Sequence, residues 1–458
     1  SLKQLKEWCA DRGVKAVSFD KAHVESMLKR LNKKLTDPAL EVAKREGYEQ
    51  VRHLLETKQI LGGSSLKKLA VLLDTVDEDN WHPGGHRLRD QYLHAGAGQT
   101  LRTTGRAFQM QNLKKLSVVA DMGELDDPDS DWDNIRLAEN LRQLFTSSDP
   151  NGKLIVGDFK SVESRGLAWL AGEEWKLQSY RQGKDMYKVL ATKFYGGEYE
   201  WITAEQRVAG KVGELACGYG AGGEAVAAFA GNMGIELSEG AATQIVWDWR
   251  AANPRIIRFW EMLDDMLHAV VVHGSNSQIH HLHDNMVLHM TRVETPESLE
   301  AQHPGCKSVM IQVSHNGNAV LRRFFLGCYQ RGRNICYYKP SDRKTGDLWR
   351  SHYVDPKTKL VRFYELYGGK LAGILTQSLC REIFFMCLKR VHMWAREEHA
   401  GQVDLVGQFH DEIVVDWRPG RISLEGAAAD MRTMMSDPGR FTSFPLDAEI
   451  KWDYRYIK

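Results

Sequence analysis

The chain has 458 residues, 43% hydrophobic and 26% charged, with a formal net charge of +1, enough for two or three domains and a sizeable core. No run approaches the ~20 apolar residues of a membrane span, and no cationic-then-apolar signal segment opens the chain. Seven cysteines, an odd number without a C-x-x-C pair, exclude a disulfide framework and fit reduced, buried thiols, so an intracellular protein is expected.

The near-neutral total hides an asymmetry. Residues 1–115 hold 21 Lys or Arg against 14 Asp or Glu, a net of +7, which leaves −6 for the other 343 residues. The basic N-terminal region is where phosphate-backbone contacts are expected. Within it, residues 1–100 carry helical patterns interrupted at Gly62-Gly63 and at Pro83-Gly84-Gly85. The acidic stretch from Asp121 to Asp133 reads as an exposed loop or turn. Lys153-Leu154-Ile155-Val156-Gly157 then runs as a strand straight into Asp158.

Thr203 and Gln206 are spaced as a capping box and open a helix that carries Arg207, Lys211, Leu215 and Tyr219. A spacing of four advances about 40° beyond a full turn, so these four form one drifting stripe. A basic stripe ending in an aromatic suits a triphosphate with a base attached; a basic solvated face is the plain alternative. Gly210 and Gly213 each cost about 1 kcal/mol of helix stability against alanine, which points to close approach of a ligand or of another backbone.

Seven of the 17 histidines lie between His273 and His315, including His280, His281 and His283. With no cysteine pair and no recognisable ligand spacing, solvated strands and loops are expected there rather than a structural zinc site. Near the C-terminus, Leu405-Val406-Gly407-Gln408-Phe409 and Ile413-Val414-Val415 flank His410-Asp411-Glu412, a β-hairpin with two acids at its tip. Adjacent carboxylates repel unless something positive lies against them, and a divalent metal is the usual answer; turn residues in solvent are the alternative. If the strand ending at Asp158 neighbours this hairpin, Asp158 and Asp411 can share one pair of ions.

Asp158-Phe159-Lys160-Ser161-Val162-Glu163-Ser164-Arg165, then Arg207 and Lys211 followed by Tyr219-Gly220, then His410-Asp411-Glu412 resemble motifs A, B and C of the family A DNA polymerases, in order and in spacing. Thr104-Gly105-Arg106 followed by Gln111-Asn112-Leu113, Asp185-Met186-Tyr187, and Tyr367-Gly368-Gly369-Lys370-Leu371 with Gln377 and Arg381 are similar to the phage members. The resemblance covers nearly the whole chain. It implies an α+β fold of right-hand polymerase architecture, with a palm of antiparallel sheet plus helices and mostly helical fingers and thumb. Residues 1–100 are then expected as the thumb, 101–172 as the first part of the palm, 173–310 as the fingers and 311–458 as the second part of the palm.

The same resemblance implies template-directed addition of deoxynucleoside triphosphates to a primer 3′-hydroxyl, with primer–template DNA as partner and two Mg2+ ions as cofactors, for which Mn2+ can substitute. Two ions roughly 3.5–4 Å apart activate the nucleophile and neutralise the leaving pyrophosphate. Asp158, Asp411 and the backbone carbonyl of Phe159 are the expected ligands, with Glu412 in a supporting position. Arg207 and Lys211 would meet the triphosphate, and Lys211 is also the candidate proton donor, with simple countercharge as its plain role. Glu163 would wall off the ribose 2′-position, Tyr187, Leu215 and Tyr219 would border the nucleotide, and Tyr219 would stack near the template base. His410 would support the primer terminus, and Arg106, Asn112, Gln377 and Arg381 would contact the primer–template.

Four positions depart from the family pattern. Leu215 stands where relatives place Phe or Tyr, Tyr187 replaces the histidine of the bacterial enzymes, and Gly373 and Ile374 stand where relatives carry an asparagine. The phage-like segments imply a monomeric replicase working in a bacterial host's cytoplasm. Fewer than 160 residues precede Asp158, so no 3′→5′ exonuclease activity is expected, and Leu2 to Trp8 resembles the segment joining an upstream exonuclease domain to the thumb. A single-subunit RNA polymerase, a catalytically silent primer–template-binding relative and a metal-dependent nuclease are the rival functions. Glu163 and the motif B pattern argue against the first, the retained acids and cations against the second, and the triphosphate-sized basic stripe against the third.

Overall fold

The protein was studied as a computed structural model that describes residues 2–16, 18–19, 21–61, 68, 71–72, 87–97, 99–113, 140–302, 304–331, 334–338 and 364–457. The breaks expected at Gly62-Gly63 and Pro83-Gly84-Gly85 and the acidic stretch Asp121 to Asp133 lie outside the described residues. The N-terminal region is helical: α1 (Leu2–Asp11), α2 (Lys21–Leu35) and α3 (Val42–Leu61). Val24, Met27 and Leu31 on α2 and Val51 and Leu55 on α3 recur at three- and four-residue spacing, so each helix presents one apolar stripe, and the stripes close a small core of their own. Beyond it, β1 (Tyr92–Leu93) pairs with β2 (Thr104–Gly105) across the boundary expected at residue 100, so the hairpin is one unit that this boundary would split.

Strand β3 (Lys153–Phe159) leads into α4 (Val162–Ala171). A helical region follows: α5 (Glu174–Arg181), α6 (Met186–Tyr195), α7 (Ala204–Ala216), α8 (Gly223–Asn232), α9 (Glu239–Ala252) and α10 (Pro254–Val271). Next come β4 (Ser277–His281), β5 (Met286–Val293), α11 (Glu297–Gln302), β6 (Lys307–His315), β7 (Asn318–Arg331), β8 (Asn334–Tyr338) and β9 (Tyr364–Leu366). The six strands form one antiparallel sheet in chain order. The boundary expected between residues 310 and 311 falls inside β6, which pairs with β5 from Ser308 to His315, so a division there would cut a continuous strand. The histidine-rich segment is the start of this sheet: His280 and His281 are exposed on edge strand β4, whereas His315 at the end of β6 is buried.

Helix α12 (Gly368–Met393), strands β10 (Val403–Phe409) and β11 (Glu412–Trp417), α13 (Leu424–Ser436) and β12 (Ala448–Asp453) complete the chain. By length and composition α12 is apolar enough to cross a membrane, but it packs against α4 and α10, and its apolar character is that of a core helix. The second sheet has the order β10-β11-β3-β12, all antiparallel. Its centre is buried on both faces. Ile155, Ile413 and Val415 join the main core with α12, while Leu154, Val156, Val414 and Phe409 pack with Phe108, Met110, Leu141 and Tyr456 on the other side. Cover on both faces makes these strands continuous apolar runs in the sequence.

Candidate active site

The strand register assembles the acids. Glu412 lies opposite Asp158 in the β11–β3 ladder, and Phe409 lies opposite Glu412 across the two-residue turn His410-Asp411. The Phe159 N–H donates to the Asp411 carbonyl at 3.3 Å, so Asp158, Phe159 and Asp411 meet at one end of the sheet. Asp158 and Asp411 are partly exposed, while Glu412 is buried at 8% exposure. The Glu412 carboxylate accepts a 2.6 Å hydrogen bond from the Tyr456 hydroxyl, which in turn accepts from the Arg142 guanidinium at 3.1 Å. Burial first, and then the Glu412 carboxylate, push the Tyr456 phenol far above its ordinary range, so it stays a proton donor. Glu412 is thus buttressed from behind by residues that no local pattern marked, because Arg142, in a short 3-10 helix, and Tyr456, after the last strand, lie far apart in the chain.

The donor chemistry fits a hard divalent cation. Two carboxylates and a backbone carbonyl are all-oxygen ligands. Among the described residues, no cluster of three or more His, Cys, Asp or Glu side chains could hold an ion. Two protein carboxylates suit Mg2+, which keeps waters and is commonly completed by substrate phosphates rather than by an all-protein cage.

Glu163, on the first turn of α4, sits beside this acid end and gathers partners from three elements. Its carboxylate accepts from Arg102 at 2.5 Å, from the Tyr219 hydroxyl at 3.2 Å and from Gln377 at 3.5 Å. Arg102 had no motif around it and was missed in the sequence. The Tyr219 ring packs against Gly373 on α12, where a Cβ would come within 3.2 Å of it, and is partly buried there. The glycine at 373 is the room that the ring occupies. Ile374 beside it is buried in the core.

Helix α7 begins with the capping box its sequence announced, Thr203 with Gln206. Gly210 and Gly213 are explained by the protein itself: a Cβ at 210 would run into the Tyr187 carbonyl of α6, and one at 213 would reach the Phe194 ring at 3.0 Å. On its other side the helix is anchored by Glu214, which pairs with Lys176 at 2.6 Å with both side chains 2% exposed. Arg207, Lys211 and Leu215 face outward, whereas Tyr219, expected on the same helix, lies beyond the end of α7 in a short 3-10 turn and packs against α12. Arg207 donates through Nε to Asp185 at 2.7 Å and lies 5.1 Å over the Tyr187 ring. Lys211 is half-buried and has no partner among the described residues, and Leu215 is 48% exposed, a large apolar side chain left open on the helix surface.

The remaining candidates are distributed around the cleft. His410 adopts φ +53° at the hairpin turn, and burial, followed by the Arg102 charge, lowers its pKa, so the imidazole is neutral at neutral pH. Arg102, Phe159, Arg381, Gln408, His410 and Asp411 line one cleft. Arg381 is committed to the protein, donating to the Leu101 carbonyl at 3.1 Å and to Glu382 at 2.8 Å. Arg106 is exposed, and Asn112, also exposed, donates to Gln109 at 2.8 Å.

A helical region facing a central antiparallel sheet that carries acids at one end defines a right-hand, α+β polymerase fold. The match to the profile of DNA polymerase family A spans residues 13–298, and the chain belongs to that family. It is similar to the DNA polymerase of Bacillus phage SP02, 25% identical over 453 residues, which covers 94% of this chain and 59% of the phage protein. DNA polymerase I of Pseudomonas aeruginosa is 30% identical over 163 residues, 34% of this chain and 17% of that protein. Among solved structures, the POL domain of Pol1 from M. smegmatis, in complex with DNA primer-template and dNTP, superposes with a TM-score of 0.55 over 100% of this chain and 66% of that one, at 14% identity. The chain therefore spans about three-fifths of the phage relative's length and shares its fold with a polymerase domain.

Proposed function

We propose that this chain is a template-directed DNA polymerase that adds deoxynucleoside triphosphates to a primer 3′-hydroxyl, in the replication of a bacterial virus. The observation that carries this is the juxtaposition made by β3, β11 and α4: Asp158 beside the Asp411 turn, and Glu163, one short segment further on, bonded to Tyr219 in the 3-10 turn that follows helix α7. Membership of the family and the similarity to a phage polymerase over most of the chain support it. The N-terminal helical region acts as the thumb on duplex DNA, the segments around the four-stranded sheet as the palm, and the helices from residue 173 as the fingers.

Asp158, Asp411 and the Phe159 carbonyl would hold two Mg2+ ions, which when bound activate the 3′-hydroxyl and neutralise the pyrophosphate. The chain's own residues do the rest. Arg207 exchanges Asp185 for the triphosphate, Lys211 donates a proton or a countercharge to the leaving group, and Glu163 lies against the sugar. His410, uncharged, borders the primer terminus, and Glu412 with Tyr456 keeps the Asp411 turn in place. The test is extension of a labelled primer on a DNA template with Mg2+, comparing deoxynucleotides with ribonucleotides, in this chain and in Asp411→Ala. Template-directed deoxynucleotide addition that vanishes in the variant is expected; binding without extension would leave a DNA-holding protein, and a ribonucleotide preference would leave an RNA polymerase.

A further inference from the structure

Arg102 stands outside every recognised motif, yet it makes the shortest contact to Glu163. Its backbone is held with unusual care. Ala97, Leu101 and Arg102 are tied together through their backbones, the Leu101 N–H donating to the Ala97 carbonyl at 2.7 Å and the Ala97 N–H donating to the Arg102 carbonyl at 3.1 Å. Leu101 takes φ +55°, a left-handed conformation that a leucine adopts only when its surroundings impose it. Two arginines from other elements impose it. Arg323 of β7, 6% exposed and bonded through Nε to Ser378, donates to the Thr100 carbonyl at 3.2 Å, and Arg381 of α12 donates to the Leu101 carbonyl at 3.1 Å.

The loop so clamped delivers the Arg102 guanidinium 2.5 Å from one Glu163 oxygen, while Tyr219 and Gln377 take the other. Burial opposes the Arg102 charge, but the carboxylate outweighs it and the guanidinium is held more firmly protonated than usual. Of the three donors, Arg102 alone is charged, and charge-assisted bonds are about twice as strong as neutral ones. Tyr219 belongs to the helical region and Gln377 lies at the distance limit, so Arg102 is the strong fixed point. A carboxylate can exclude one additional hydroxyl only if its own position is fixed, because a side chain free to swing away would admit it.

We propose that Arg102 is a positioning residue for nucleotide selection, fixing the Glu163 carboxylate so that the sugar side of the nucleotide site is closed to a ribose 2′-hydroxyl. This rests on the polymerase function proposed above and on Glu163 facing the sugar. A simple packing ion pair would leave sugar preference untouched when broken.

The test measures kcat/KM for one deoxynucleotide and its ribonucleotide counterpart in primer extension, for the unsubstituted chain, Arg102→Met, Arg102→Lys, Glu163→Ala and Arg102→Met/Glu163→Ala. Arg102→Met is expected to lower the deoxy-over-ribo preference by about tenfold, the size of one lost charge-assisted hydrogen bond, through a rise in ribonucleotide use. Arg102→Lys, which keeps the charge but not the planar fork, should fall between the two. In the Glu163→Ala background, removing Arg102 should change the preference no further. A preference unmoved in Arg102→Met, or lowered again by it when Glu163 is already absent, overturns the proposal while the polymerase function stands. If Arg102→Met loses its far-ultraviolet circular dichroism, Arg102→Lys decides, and a preference equal to that of the unsubstituted chain overturns the proposal. No extension by the unsubstituted chain overturns both.

Discussion

On the sheet side of the site, Asp158, Asp411 and Glu412 hang from strands whose register is locked by cores on both faces, and Glu412 is braced from behind by Tyr456. On the helix side, Arg207 and Lys211 project from α7, whose inner face is nailed down by the Lys176–Glu214 pair while its outer face carries one partly exposed ion pair and one ammonium with no partner among the described residues. The acids are preorganised and the cations are not. A fixed anionic end can hold ions without rearranging, whereas groups that must receive a large polyanion and release its product are better served by partners they can trade.

Asp158→Ala tests the fixed side most severely. If preorganised acids carry the reaction, primer extension should fall by at least ~10³-fold, several kcal/mol of transition-state stabilisation, with primer–template affinity little changed. A fall of less than tenfold would deny Asp158 its place at the reacting centre. On the helix side, Lys176→Met leaves the buried Glu214 carboxylate without its cation, and about 3–5 kcal/mol of stability should be lost, read as a fall of several degrees in the unfolding midpoint. Replacing both partners, Lys176→Met with Glu214→Leu, should restore much of it, since the penalty comes from the stranded charge. If the double variant is as unstable as the single one, packing rather than charge anchors α7.

Tyr456→Phe probes the brace behind the acids. The ring remains packed beside Phe409, 5.7 Å between centroids, and what is lost is the hydroxyl, which donates to the buried Glu412 carboxylate and accepts from Arg142. A cost of about 1–3 kcal/mol in stability is expected, with a drop in extension rate if the Asp411 turn loosens. Unchanged stability would show that solvent reaches Glu412 and replaces the donor.

Legibility from the sequence followed the same division. The strands ending at Asp158 and flanking His410-Asp411-Glu412 could be read because burial on both faces makes them unbroken apolar runs. The capping box of α7 was visible because its two partners are three residues apart. Arg102, Arg142 and Tyr456 were not visible, because each acts on a residue 44 to 314 positions away and sits in an irregular segment with no period of its own. The two α7 glycines were read as a close approach, but only the structure identifies the Tyr187 carbonyl and the Phe194 ring of α6 as the causes. The boundary expected at 310/311 was drawn from motif positions, which mark the site, whereas the six-stranded sheet runs continuously through that point.

The smallest effect bears most directly on whether the helix-side cations are held in reserve. Asp185 has two jobs: it caps α6, accepting from the Tyr187 N–H at 2.9 Å, and it occupies Arg207 at 2.7 Å. Asp185→Asn separates them, since asparagine caps helices about as well as aspartate but carries no charge. The Arg207 side chain is 39% exposed and that of Asp185 31%, so the pair contributes at most about 1 kcal/mol. Releasing it should lower KM for the incoming nucleotide by no more than about fivefold, with kcat unchanged if the triphosphate merely takes the place of Asp185. A rise in KM would mean that Asp185 aims Arg207 at the phosphates instead of withholding it, and the two walls of the site would then be preorganised alike.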